Sequence, residues 1–210
     1  MRLEDKMIMF EADLLVMADR VRKQMAMAIQ AIVTEDKSLA LAVIEKDDYI
    51  NDADESINDQ AIEILSLMQP VAKDLRMVVG GIKVSSDLER IGDYAKNMGR
   101  YVIKSKESQP EYQNDVEVLG AKFLEIFDEV VTLLKNPDVK GAYCVAEMDE
   151  SLDELFQSMM ARYASSPLET DRIPTQTIGI LRNIERAGDH ATNICEHVIY
   201  IVRGRHIDFG

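Results

Sequence analysis

The chain has 210 residues, with 38 Asp and Glu against 24 Lys and Arg and a net charge of −14. That length can bury a real core as one large or two small domains, and the acidity argues against nucleic-acid phosphate or an anionic membrane surface as a partner. No apolar run approaches the ~18 residues of a bilayer span, the first residues lack a signal-peptide pattern, and Cys144 and Cys195 sit in no metal-type spacing. A cytoplasmic protein with no membrane insertion and reduced thiols is expected.

Helical periodicity runs through the chain in six stretches. Leu3, Met7, Phe10, Leu14, Met17, Val21, Met25, Ala28 and Ile32 form the apolar seam of a first long helix, broken at Thr34 to Ser38. A second helix carries Val43, Ile50, Ala53, Ile57, Ile64 and Met68 and ends at Gln69-Pro70, because proline disfavours a helical predecessor. The third shows Val84, Leu88, Ile91, Ala95, Met98 and Val102, and the polar stretch around Pro110 marks a boundary. The fourth holds Leu119, Phe123, Ile126 and Val130 and stops near Asn136-Pro137; the fifth holds Met148, Leu152, Leu155 and Met159. A loop around Ser165 to Ile173 precedes the sixth, with Ile184, Ala187, Ala191, Ile194, Val198 and Ile201. Short connections make neighbours antiparallel. The expected fold is all-α: two tandem three-helix bundles over residues 1–107 and 111–206, six long helices in all.

The halves repeat one another. Glu89-Arg90-Ile91-Gly92-Asp93, with Ala95 and Asn97, returns as Glu185-Arg186-Ala187-Gly188-Asp189, with Ala191 and Asn193. Val43, Glu45 and Asp47 return as Val145, Glu147 and Asp149. An internal repeat of this kind reveals which residues both copies kept, and both kept carboxylates one helical turn apart.

If Leu88 and Ile91 face the core, Glu89 and Asp93 face away from it, as do Glu185 and Asp189 relative to Ile184 and Ala187. Asp47 with Asn51, and Asp149 with Asp153, lie off the seams of the second and fifth helices by the same reading. Antiparallel register sets Asp47 level with position 92 and Asn51 with position 88; Asp149 falls level with Asp189, and Asp153 with Glu185. Each half thus gathers four oxygen-bearing side chains at one level of an outer groove. A solvated acidic face is the ordinary meaning of such pairs. Against it stand like charges that cost ~0.2–0.5 kcal/mol per pair and mid-helix Gly92 and Gly188 at ~1 kcal/mol each, recurring in both halves. A bound hard or borderline cation offsets that repulsion. Asn97 and Asn193 stand one turn further, placed to add carbonyl oxygens or orient ligands, and Arg90 has the spacing to pair with Asp87. His190 sits beside Asp189, but its counterpart Tyr94 is no such ligand. There is no Glu-x-x-His, glycine-rich phosphate loop, Gly-x-Ser-x-Gly or His-Glu-x-x-His.

Asp-Leu-Glu-Arg-Ile-Gly-Asp at 87–93 with Asn97, the second copy ending Asn-Ile-Cys-Glu at 193–196, and Gln-Pro-Val-Ala-Lys-Asp-Leu-Arg at 69–76 resemble the PhoU family over nearly the whole chain. The resemblance implies multinuclear metal clusters on the acidic motifs, iron first and zinc, manganese or magnesium as alternatives. Their ligands would be Asp47, Asn51, Glu89 and Asp93 in one half and Asp149, Asp153, Glu185 and Asp189 in the other, with no catalytic residue. Asn51 replaces a carboxylate that some members carry, so the two sites are expected to differ. The implied role is restraint of the high-affinity phosphate transporter and silencing of the phosphate-starvation response. The implied partners are the transporter's ATPase subunit, a phosphate-sensing histidine kinase and a second copy of the chain. A metal-dependent hydrolase or metal store using the same clusters is the alternative.

Overall fold

The structure is a computed structural model describing residues 2–105, 110–165 and 175–209. Of the boundary expected around Pro110, residues 106–109 lie outside the described residues while Pro110 itself begins a helix, and of the loop expected from Ser165 to Ile173 all but Ser165 lies outside them. The elements are α1 (Leu3–Val33), α2 (Lys37–Lys46), α3 (Asp48–Glu63) with a π-helical turn (Ile64–Met68), α4 (Ala72–Lys104), α5 (Pro110–Lys135), α6 (Val139–Ser165) and α7 (Thr175–Arg203). No strand occurs among the described residues, and no helix there is long and apolar enough to cross a membrane.

The six-helix plan holds, with the second rod interrupted at Asp47, where α2 gives way to α3. Asp36 caps α2 by accepting hydrogen bonds from the Ser38 and Leu39 amides. Gln69, in the left-handed region at φ 49°, ends the π turn before Pro70.

The rods form four layers. α2 and α3 pack on α1 and α4, α1 and α4 pack on α5 and α7, and α6 covers the far side. α4 bears two stripes: Val84, Leu88, Ile91, Ala95 and Met98 are buried in its own bundle. Gly80, Asp87, Tyr94 and Tyr101, seven residues apart, face α7. Gly80 lies against Ile201 and the Tyr101 hydroxyl against Gly179, so the two helices run antiparallel.

The repeat reaches the first helix of each half. Leu14, Met17, Val21, Gln24, Met25, Ala28 and Ala31 are buried, and so are the residues 102 positions later: Val116, Leu119, Phe123, Ile126, Phe127, Val130 and Leu133. Burying this continuous apolar stripe is what stabilises helices of such length.

One expectation is overturned. Asp47 and Asp149 were placed off the seams and on the outer surface, yet both are buried, at 0% and 7% exposure. The buried stripes are Val43, Asp47, Ile50 and Ile57 in one half and Val145, Asp149, Leu152, Phe156 and Met159 in the other. The carboxylates stand on the core face, and Met148 and Leu155, expected on the seam, are only half-buried.

Candidate metal centre

The expected antiparallel register holds to within a turn in both halves. In the first, Gly92 packs against Ile50 and Gln24, Ser85 donates to Asp54 Oδ1 at 2.6 Å, and Lys96 Nζ reaches Asp47 Oδ2 at 2.5 Å. In the second, Gly188 packs against Asp149 and Leu152, and Thr192 Oγ1 donates to Asp149 Oδ2 at 2.7 Å. Lys96 and Thr192 occupy equivalent repeat positions, so the two buried aspartates meet different chemistry.

Asp47 is neutralised by the ammonium of Lys96, itself mostly buried. Its oxygens also accept from Gln24 Nε2 at 3.4 Å and Asn51 Nδ2 at 3.3 Å. This places Asp47 in an internal ion pair rather than on the groove. The groove itself holds the half-buried Asn51, Asp54, Glu89 and Asp93. Glu89 is held above its ordinary range, chiefly by desolvation and then by Asp93, with Asp54 and Asp47 adding to it. Asp54 joins this set without having been singled out from sequence; its repeat partner is the buried Phe156, so no second copy drew notice to it.

The second half has no lysine at this level. Burial, and then the charges of Asp153, Asp189 and Glu185, push Asp149 up to about 6 even though Thr192 hydrogen-bonds it. Asp153, Glu185 and Asp189 are also raised, first by desolvation, with Asp189 acting on Glu185 and Asp153 on Asp189. Asp149 Oδ1 and Asp153 Oδ1 are buried with no hydrogen-bond partner. Unpartnered carboxylate oxygens beside like charges are the donor chemistry a hard cation takes, and the second half therefore fits a metal better than the first. Among the described residues no three His, Cys, Asp or Glu side chains are gathered tightly enough to grip one ion as they stand. The fit is one of donor type and charge.

Asp87 does not pair with Arg90, whose nearest carboxylate is Glu89 at 3.8 Å. It is buried at the α4–α7 contact, where Oδ1 meets His190 Nδ1 at 2.7 Å and Asn193 Nδ2 at 3.3 Å, and Oδ2 meets His197 Nε2 at 2.9 Å. His190 Nε2 is 3.4 Å from the Tyr94 hydroxyl. His190 and Asn193 thus serve a contact between the two bundles rather than the acidic groove. Burial alone would raise Asp87, but hydrogen bonds from His190 and His197, and their charge, hold it below the usual carboxylate range. The signal was in the sequence: Asp87, Tyr94 and Tyr101 return as Asn183, His190 and His197. The two faces diverged in complementary ways.

The chain is similar to known proteins in sequence and in fold. A family model described as the PhoU domain matches residues 14–102 and again 116–198. A phosphate-specific transport system accessory protein PhoU homolog of Pseudomonas aeruginosa is 36% identical over 202 residues, covering 92% of this chain and 84% of that protein. The crystal structure of PhoU from Pseudomonas aeruginosa superposes with a TM-score of 0.91 at 32% identity, covering 97% of this chain and 100% of its own. The phosphate transport system regulatory protein PhoU from Streptococcus pneumoniae superposes with a TM-score of 0.90 at 25% identity, covering 99% and 100%. With both halves matched by the family model and the whole six-rod fold shared, the chain belongs to the PhoU family.

Proposed function

We propose that this protein is a cytoplasmic, non-catalytic regulator of the phosphate transport system. It restrains the high-affinity phosphate transporter by docking on its ATPase subunit, and it silences the starvation response through the phosphate-sensing histidine kinase. The observation that carries this reading is the 36% identity, over 92% of the chain, to a protein named as a phosphate transport accessory protein. Iron, or another hard or borderline cation, would be held by Asp153, Glu185 and Asp189, with Asp149 behind them, and less firmly by Asn51, Asp54, Glu89 and Asp93. Such ions supply charge neutralisation, which flattens the repulsion on an otherwise acidic face and makes it a defined docking surface. Exposed Ile8, Met9 and Val16 along α1 supply an apolar face for self-association as a homodimer.

Two measurements test this. Deleting the gene in its native host should switch on a phosphate-starvation reporter in phosphate-rich medium, with wild-type protein restoring silence; a reporter that stays silent in the deletion sinks the regulatory reading. Elemental analysis of untagged protein should find transition metal that falls in Glu89→Ala with Glu185→Ala at unchanged helicity. A full metal load in that double variant removes the groove as the metal site.

A further inference from the structure

On the outer face of the first half, a cavity of about 580 Å³ opens between α1 and the break joining α2 to α3. Arg20, Arg22 and Lys23 line it from α1, and Lys46, Tyr49 and Ile50 from the break. Four of these side chains are cationic and none of the cavity's lining residues is acidic, in a chain carrying 38 acids against 24 bases. Arg22 is engaged in a two-pronged pair with Asp128, at 2.9 Å on each prong, and Lys23 pairs with Asp19 at 2.5 Å. Arg20 donates only to the Tyr49 carbonyl, at 3.3 Å, and no ion pair engages Lys46 among the described residues. Two cationic heads therefore face the cavity without a counter-charge, next to a tyrosine ring that is 61% exposed.

The fold does not require this lining. At the positions 102 residues later, Lys122, Glu125, Met148 and Ser151 replace Arg20, Lys23, Lys46 and Tyr49. Seven buried positions of α1 are buried again 102 residues later in α5, so the scaffold is duplicated, while Arg22, Lys23 and Lys46 return as Leu124, Glu125 and Met148 and three of the four cationic positions are lost.

Charge and size together select a ligand class. Guanidinium and ammonium groups without carboxylates favour phosphate oxygens. Orthophosphate fills only a small part of 580 Å³, a volume typical of sites for organic molecules of roughly 300–1,000 Å³. An exposed tyrosine ring, in a cavity also lined by Met27 and Ile50, offers a flat apolar wall suited to stacking. We propose that the cavity binds a nucleotide, its phosphates on Arg20 and Lys46 and its base against Tyr49. The cavity backs onto the first acidic groove through Gln24 and Ile50, which pack against Gly92, but it stands independently of the phosphate-regulatory reading.

Isothermal titration of the full chain with ADP tests this, in EDTA so that metal bridging to the acidic grooves is absent. ADP should bind the wild type, with adenosine alone and orthophosphate alone each weaker by about tenfold or more. Arg20→Ala with Lys46→Glu should weaken ADP by a similar factor, and Tyr49→Ala should weaken ADP without changing orthophosphate binding. All three changes are at exposed positions, and circular dichroism should confirm unchanged helicity. The proposal is overturned if ADP does not bind, if the double variant binds it as tightly as wild type, or if orthophosphate binds as tightly as ADP.

Discussion

Asp47 and Asp149 occupy the same place in the repeat, are both buried, and lead opposite electrostatic lives. Around Asp47 the chain supplies Lys96, Gln24 and Asn51, so the charge is neutralised and hydrogen-bonded. Around Asp149 the equivalents are Thr192, Ile126 and Asp153: one hydroxyl, one hydrocarbon and another acid. The Asp149 charge even helps push the buried Cys195 thiol up to about 12, after desolvation as the main cause. The repeat keeps where the carboxylate sits; the residues around it decide whether it is a satisfied structural ion pair or a buried acid with one oxygen lacking a hydrogen-bond partner.

The sharpest break of that comparison is one substitution made in both halves. Asp47→Asn strands the buried Lys96 ammonium and should destabilise the protein by about 3–5 kcal/mol, read by urea unfolding near pH 7. Adding Lys96→Thr should recover most of that loss, and a neutral Asp47→Asn would show that the pair contributes nothing. Asp149→Asn in metal-free protein should do the reverse. Its carboxyl is raised from 3.8 to about 6 in the fold, so between those values the native state binds more protons than the unfolded one. Stability from this group therefore falls as pH rises from about 4 to about 6, and the full penalty, up to about 3 kcal/mol, persists above that. Asp149→Asn should be more stable than wild type near pH 7.5, and the gap should close near pH 4. Saturating metal should shrink the gap at neutral pH, if the second groove is the site.

Asp87 and Asn183 extend the contrast to the contact between halves. Asp87→Asn makes the two positions alike and leaves His190 and His197 sharing a weaker acceptor. It should cost about 2 kcal/mol near neutral pH. Because Asp87 is depressed in the fold, its contribution is present above the ordinary carboxylate range and lost as pH falls through its lowered folded value. The variant and wild type should therefore converge in acid, as in the Asp149 series but from the other side, because here wild type is the more stable form at neutral pH.

The architecture was legible in the sequence because apolar spacing and the repeat are local patterns. Seams such as Val84, Leu88, Ile91, Ala95 and Met98 state their own burial, and proline at 70 and 137 punctuates them. The grooves were legible too, because antiparallel register is nearly arithmetic. What escaped was the phase of the acids. Val43, Asp47, Ile50 and Ile57 step by threes and fours as well as any seam, but a carboxylate on a core stripe is admitted only if its partner is known. That partner, Lys96, lies on another helix. Asp87 was missed for the same reason: Arg90 is close in sequence, whereas His190 and His197 are brought near only by the packing of α4 on α7. Gln24 stayed hidden on the otherwise apolar buried stripe of α1 until its bond to Asp47 gave it a role.

Glycine at the two groove centres gives the smallest and cleanest comparison. In both halves the residue between the motif acids allows close helix packing, but the clearance differs. A Cβ at Gly188 would lie 2.5 Å from both Asp149 Oδ1 and Leu152 Cδ2, whereas at Gly92 it would lie 3.1 Å from Gln24 Oε1 and 3.2 Å from Ile50 Cδ1. Alanine brings about 1 kcal/mol of helix propensity at either position. At Gly92 a shift of a few tenths of an ångström accommodates the methyl, so Gly92→Ala should stay within about 1 kcal/mol of wild type. At Gly188 the methyl must displace a leucine and a buried carboxylate oxygen, and overpacking of that kind costs about 1–3 kcal/mol. Gly188→Ala should therefore be the worse of the two by about 1–2 kcal/mol net, measured by urea unfolding at fixed pH. Combining it with Asp149→Asn discriminates sterics from charge: a clash with the side chain persists in the double variant, whereas an effect that worked by burying the Asp149 charge more deeply disappears with the charge.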